Sequence, residues 1–356
     1  MWSDRRFLDL VGLEHPIVQA PMVGARGRLA AAVSAAGGLG SLACAALNAE
    51  QVRDEVSSIR EVTDRPFTLN FFCHVPAAAD PVREAAWRER LAPFYREFDL
   101  DPAAPIAMAN RAPFDEAMCA VVEDLRPNVV SFHFGLPDDT LLSRVRAAGC
   151  LVFSSATTMR EARWLETRGV DAIIAQGADA GGHRGMFLTE ALESQVGTFS
   201  LVPQVVDAVR VPVIAAGGIA DARGVAAALA LGASAAQIGT AYLLCPEAGA
   251  APAHLAALRS ARDEDTALTN VFTGRPARGL LNRAMRELGP VSPEAPAFPM
   301  AAPALQPLRQ RAEAEGSGDF SPLWSGQAAA LAREMAAADL TLRLAEGARS
   351  ILRNRE

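Results

Sequence analysis

The chain has 356 residues, half of them hydrophobic, enough for one large core or a core with a smaller satellite. A formal net charge of -7 and a pI near 5.4, with no block of Lys or Arg, exclude the electrostatics of a nucleic-acid groove or a polybasic membrane patch and point to small ligands. The five cysteines, at 44, 73, 119, 150 and 245, are far apart and lack CxxC or Cys/His metal spacing, so reduced thiols in a cytoplasmic, metal-free protein are expected.

Residues 1–19 are interrupted by charges and lack the apolar region and small-residue cleavage site of an export signal. From there short β-prone runs alternate with helical patterns. IVQA (17–20), LGSL (39–42), FTLN (67–70), VVSF (129–132), LVFS (151–154), AIIA (172–175), VIAA (213–216) and AAQI (235–238) predict eight strands. Segments 29–36, 115–125, 141–148, 159–167 and 222–231 read as helices, with Gly-rich turns where a helix ends and the next strand begins. The most apolar long segment, 224–245, is broken by Gly232, Ser234, Gln237 and Thr240 and reads as buried core, not a membrane span. Eight βα units predict a (β/α)8 TIM barrel over 1–245. The connection 71–128 is long for a crossover and carries the helical piece AAWRERLAPFYREF. Beyond Cys245, the Pro-rich PVSPEAPAFPMAAPALQP separates a short helical run at 254–258 from a longer one at 328–352. We expect a helical lid or substrate region over 246–320, and C-terminal helices over 321–356 that pack back on the barrel.

The densest chemistry is AIIAQGADAGGHRGMF (172–187), where a buried strand empties into an amide, an acid, paired glycines, a histidine and an arginine. Strand ends of this kind carry the active sites of barrels. His183 is the candidate base, because imidazole titrates near neutral pH. The strand ends at Gly217 and Gly218 and at Gly239 and Thr240 read together as a phosphate cradle, although each alone also suits plain barrel closure. GGLGS at 37–41 precedes a strand instead of following one, and no GxxxxGK[ST] occurs, so barrel-held FMN fits better than a Rossmann-bound dinucleotide. Asn70 and Gln176 lie at strand ends, where an amide can pair with a flavin's pyrimidine edge or cap a loop. Arg184, Arg275 and Arg278 suit either anion attraction or salt bridges, and Trp324 and Phe298 either pocket or core. His15, His74 and His254 read as structural or surface residues.

In order along the chain, QAPM (19–22), LNFF (69–72), SFHFGLP (131–137), GADAGGHRGMF (177–187), AAGGIADARGVAAALALGA (215–233), QIGTAYL (237–243), FTGRPARGLLN (272–282) and LWSGQ (323–327) resemble the nitronate monooxygenases, in particular their main bacterial and fungal class. The resemblance implies an FMN-dependent barrel enzyme of the cytoplasm, monomer or homodimer. It would oxidise alkyl nitronates such as propionate 3-nitronate with O2 to a carbonyl product and nitrite, without external reductant. Carried over by position, it implies flavin contacts at Met22, Asn70, Gln176, Gly181, Gly218, Gln237, Gly239 and Thr240, a catalytic His183 and a substrate-pocket His133; Gly182 and Gly217, beside these positions, complete the expected cofactor site. Asp179 stands where relatives usually have Glu, and Phe298 where many carry a tyrosine, which leaves the substrate open. An NAD(P)H-dependent FMN enoyl or quinone reductase, a biosynthetic flavin oxidase of the same fold, and a non-enzymatic flavin-binding protein are the other readings.

Overall fold

The computed structural model describes residues 2–106 and 111–354; residues 107–110, within the long connection, lie outside this description. In chain order the strands are β1 (Ile17–Gln19), β2 (Gly40–Ala43), β3 (Phe67–Phe72), β4 (Val129–His133), β5 (Leu151–Ala156), β6 (Ala172–Gln176), β7 (Gly182–His183), β8 (Val213–Ala216), β9 (Ala235–Ile238), β10 (Thr266–Thr269) and β11 (Ala277–Leu280). Eight of them form one parallel sheet in the order β1-β9-β8-β6-β5-β4-β3-β2. A bridge between Val18 and Leu39 joins its ends, with Leu39 N donating to Ile17 O and Gln19 N to Leu39 O, both at 2.9 Å. The result is a closed (β/α)8 barrel whose eight strands fall on the eight predicted runs.

Side chains alternate across each strand with period two, and the two parities have separate fates. Ile17, Val130, Ile173, Val213 and Ala236 face outward into the core shared with the surrounding helices. Val18, Val129, Ala172, Ile174, Ile214 and Ala235 face inward, where Phe7 and Leu8 of the N-terminal helix Arg6–Val11 join them. Extending the inward parity to the strand ends reaches Met22, Asn70, His133, Gln176, Gly218 and Gln237. The barrel is therefore packed with hydrocarbon at one end and polar at the other.

The region beyond Cys245 is more than helical. Helix Ala302–Ala314 packs on helix Pro81–Glu97 of the long connection, around a separate core that includes Trp87, Tyr95, Leu308 and Phe320. Its buried polar tips are satisfied: Tyr95 Oη donates to Ala304 O at 2.6 Å and Trp87 Nε1 to Ala301 O at 3.3 Å. That helix begins inside the Pro-rich stretch, because a proline in the first turn gives up no needed N–H. Strands β10, β11 and β7 form a small antiparallel sheet, with Ala277 opposite His183. The helical run expected over 328–352 instead divides into a short turn at Ala329–Leu331 and helix Ala337–Arg353, which starts where the Glu247 carboxylate accepts from Ala337 N at 3.1 Å. This last helix lies against helix Ala222–Ala230, and Tyr242 Oη meets Thr341 Oγ1 at 2.7 Å. No helix among the described residues is long and apolar enough to cross a membrane.

Candidate active site

A cavity of about 470 Å3 opens at the polar end of the barrel, a size suited to a cofactor or small ligand. Every site position named from the sequence lines it: Met22 after β1, Asn70 on β3, His133 on β4, Gln176 on β6, Gly181, Gly182 and His183 in the following loop and β7, Gly217 and Gly218 after β8, and Gln237, Gly239 and Thr240 at the end of β9. The lining also holds Phe72 of the LNFF motif, His254, which read from the sequence as structural or surface, and two residues that no pattern marked, Arg111 and Arg309. Among the described residues, no Asp or Glu lines it. With two arginines, Arg111 and Arg309, and no carboxylate among its described lining residues, the cavity favours anions.

His183 is held from two directions. Its Nε2 lies 2.9 Å from Thr273 Oγ1, which in turn donates to Arg275 O at 3.4 Å. That chain of donors places the proton on Nε2. Nδ1 has no hydrogen-bond partner among the described residues and is not sealed in the interior, so its lone pair is open to the cavity. Phe298 and Trp324 each stand 5.4 Å from the imidazole, Phe72 6.0 Å and Phe134 6.1 Å, ring centre to ring centre. Enclosure by these rings, followed by the charge of Arg111 and the neighbouring His133, Arg275 and His74, holds His183 well below the ordinary histidine range. It is a neutral base.

His133 supports that residue. Its Nε2–H donates to His183 O at 3.2 Å, and its Nδ1 accepts from Ser155 Oγ at 2.6 Å. Burial pushes its pKa down to about 3. Both nitrogens being engaged, it presents a carbon edge to the cavity. Gln176 is likewise occupied with the loop: its Nε2 donates to His183 O at 2.9 Å and its Oε1 accepts from Gly185 N at 2.7 Å. One N–H and one lone pair remain for a ligand. Asn70 donates to Ser131 Oγ at 2.9 Å, which leaves its carbonyl oxygen free.

The arginines of the sequence motifs hold backbone. Arg184, fully buried, donates to Gln195 Oε1 at 2.9 Å and Gln176 O at 3.0 Å. Arg278 donates to Ala178 O at 3.0 Å, and Arg275 lies 3.9 Å from the Phe134 ring centre with a hydrogen bond to Met186 O. His74, expected in a loop as structural or surface, is only 4% exposed and packs edge-on against Phe298, with burial and Arg275 lowering its pKa to about 4. His254 reaches the cavity wall from helix Pro252–Ser260, with Nε2–H donating to Trp324 O at 3.1 Å.

Two glycines differ in what they accommodate. A Cβ on Gly181 would sit 2.5 Å from Gly326 N, so the LWSGQ segment fills that space; there Gly326 N donates to Thr240 Oγ1 at 2.9 Å and Gln327 N to Asp179 O at 3.0 Å. A Cβ on Gly239 would meet nothing nearer than Ala20 at 3.4 Å and would instead protrude into the cavity. The backbone N–H groups of Gly218, Gly239 and Thr240 have no acceptor among the described residues. Helix Ala222–Ala230 is capped by its own Asp221, at 2.9 Å from Arg223 N, so its terminus is not the anion donor.

Neutral imidazoles at His74, His133 and His183 carry a consequence for acid stability. Their folded pKa values lie below the unfolded one, so the unfolded chain takes up protons first as pH falls. Stability is full above about pH 6.5 and is lost below it, at about 1.4 kcal/mol per pH unit for each such histidine. The thermal midpoint of the protein should therefore drop by roughly 3 °C or more between pH 6 and pH 5. A flat Tm across that interval would contradict burial in the neutral form.

The fold and this site define a class: a (β/α)8-barrel enzyme with its cavity at the C-terminal ends of the strands. The family follows from comparison. The nitronate monooxygenase family model matches residues 5–347, and the chain belongs to that family of oxidoreductases. It is 45% identical over 346 residues to the nitronate monooxygenase of Pseudomonas aeruginosa, covering 96% of this chain and 98% of that protein. Its structure is similar to that of nitroalkane oxidase from Streptomyces ansochromogenes, with a TM-score of 0.90 and 40% identity over 99% of this chain and 100% of that one. FabK from Thermotoga maritima is similar at a TM-score of 0.76 and 29% identity over 100% and 99% of the two chains.

Proposed function

We propose that this protein binds FMN in the cavity and oxidises alkyl nitronates, propionate 3-nitronate among them, with O2 to a carbonyl compound and nitrite. The observation that carries the reading is the acid-free cavity in which free amide groups, unengaged backbone donors and a neutral histidine converge. The residues fit the cofactor. The N–H groups of Gly218, Gly239 and Thr240 would take its phosphate, and the free carbonyl of Asn70 with the remaining N–H and lone pair of Gln176 would meet its pyrimidine edge. Gln237, Met22, Gly181, Gly182 and Gly217 complete the wall. When bound, FMN would accept electrons from the substrate and deliver them to O2.

The chain's own work is to bind, orient and keep water out. Its cationic wall attracts an anion, and the four rings around His183 make the reacting end of the cavity apolar. With a neutral nitroalkane, His183 Nδ1 would take the α-proton; with a preformed nitronate it would only orient the anion.

The purified protein should be yellow and release one equivalent of non-covalent FMN. It should produce nitrite aerobically from propionate 3-nitronate or a simple alkyl nitronate with no NAD(P)H. Release of FAD, or nitrite only when NADH is supplied, would defeat the reading. Rapid anaerobic flavin bleaching by NADH would favour a reductase.

A further inference from the structure

Arg111 is a charged group that no structural role explains. Its Nη1 is buried and has no hydrogen-bond partner among the described residues, while its side chain lines the cavity. Arginine stays protonated even when desolvated, and a buried cation without a counterion is costly. The neighbouring ionisable groups do not supply one: Arg309, itself a cavity residue at the mouth, is paired with Glu313 at 2.8 Å, and the other groups that feel Arg111 are His74 and His183. Its charge is among those that lower the His183 pKa. The expected phosphate donors, after β8 and β9, lie across the barrel mouth from β3, the strand whose connection carries Arg111. The cofactor's phosphate would therefore lie across the mouth from that connection.

We propose that Arg111 forms an anion subsite for a second charged group of the substrate, a carboxylate carried a few bonds from the nitronate carbon. The proposal rests on the reading of the cavity as a nitronate-oxidising site. With the nitronate end held at His183 among the aromatic rings, a carboxylate farther along the same substrate would accept from Nη1 of Arg111, which lines the same cavity. Arg309 adds positive potential from the rim. Bidentate guanidinium geometry would also fix the direction in which the chain lies.

The test compares ligands of equal length with and without the carboxylate. For the FMN-loaded wild type, Arg111→Gln and Arg111→Lys, kcat/KM is measured with propionate 3-nitronate and with propyl 1-nitronate. Binding of 3-nitropropionate and of 1-nitropropane is measured by calorimetry, independently of turnover. Arg111→Gln should weaken 3-nitropropionate binding and lower kcat/KM for propionate 3-nitronate by about 10- to 100-fold, chiefly through KM. Propyl 1-nitronate should change by less than about threefold, since it lacks the partner of the removed charge. Arg111→Lys should recover part of the binding. Equal losses on both nitronates, unchanged binding of 3-nitropropionate, or loss of FMN from Arg111→Gln would overturn the subsite. Failure of the parent reading looks different: the wild type would turn over neither nitronate, and calorimetry would still decide whether Arg111 binds the carboxylate.

Discussion

Replacing His183 with Asn should lower kcat/KM for a neutral nitroalkane by roughly 100-fold or more while leaving the matching nitronate within a few-fold. Only the neutral substrate needs a proton removed, and His183 carries the open lone pair in the aromatic part of the cavity. Its depressed pKa keeps it unprotonated through the physiological range, so activity on nitroalkanes should not fall on the acid side until well below the usual histidine pKa. The measurement is kcat/KM for a nitroalkane and its nitronate, with FMN content determined for each preparation. Equal losses in fully loaded enzyme would mean that the residue orients the substrate anion or tunes the flavin, and that it is not the base.

Glu161→Ala should be the most destabilising single change near the site. This fully buried carboxylate lies in helix Met159–Thr167, just after β5. Its Oε2 accepts from Thr157 N at 2.7 Å and Thr157 Oγ1 at 2.8 Å, and its Oε1 from Phe187 N at 2.7 Å and Leu188 N at 3.1 Å. Truncation leaves these donors buried without acceptors, a loss of about 3–5 kcal/mol. For a chain of this size that corresponds to a fall in Tm of roughly 4–7 °C. The Phe187 and Leu188 amides should also lose hydrogen-exchange protection, since they anchor the chain that leaves His183. A Tm within about 2 °C of wild type would show that the carboxylate is replaceable by water.

The barrel is legible in the sequence because the strands are short, mostly apolar runs, most of them flanked by proline, glycine or a polar residue. The same period-two parity that fills the interior with Val18, Ile174 and Ile214 brings Asn70, His133 and Gln176 to one cavity. What escaped reading has physical causes. TALT and ARGL, which become β10 and β11, show neither alternation nor a continuous apolar run, and β7 is only two residues long. Pairing, not propensity, makes them strands. Helix Ala302–Ala314 was masked by the prolines of its own segment. Arg111, His254 and Arg309 reach the cavity from the long connection and the lid, so no local spacing ties them to GGHRG. Gln176 was visible as a strand-end amide, but its two bonds to the 183–185 loop depend on that loop folding back, which a linear pattern does not contain.

The sheet that seats His183 also sets a timetable for synthesis. Thr273, which holds its imidazole, is 90 residues farther along the chain, and β11 pairs with β7 by placing Ala277 opposite it. At translation rates of about 5–20 residues per second, the histidine emerges roughly 5–20 s before the segment that fixes it. A nascent chain that has already made all eight barrel strands thus carries the reactive imidazole with neither its hydroxyl partner nor its neighbouring strand, and becomes competent only once the lid has been made.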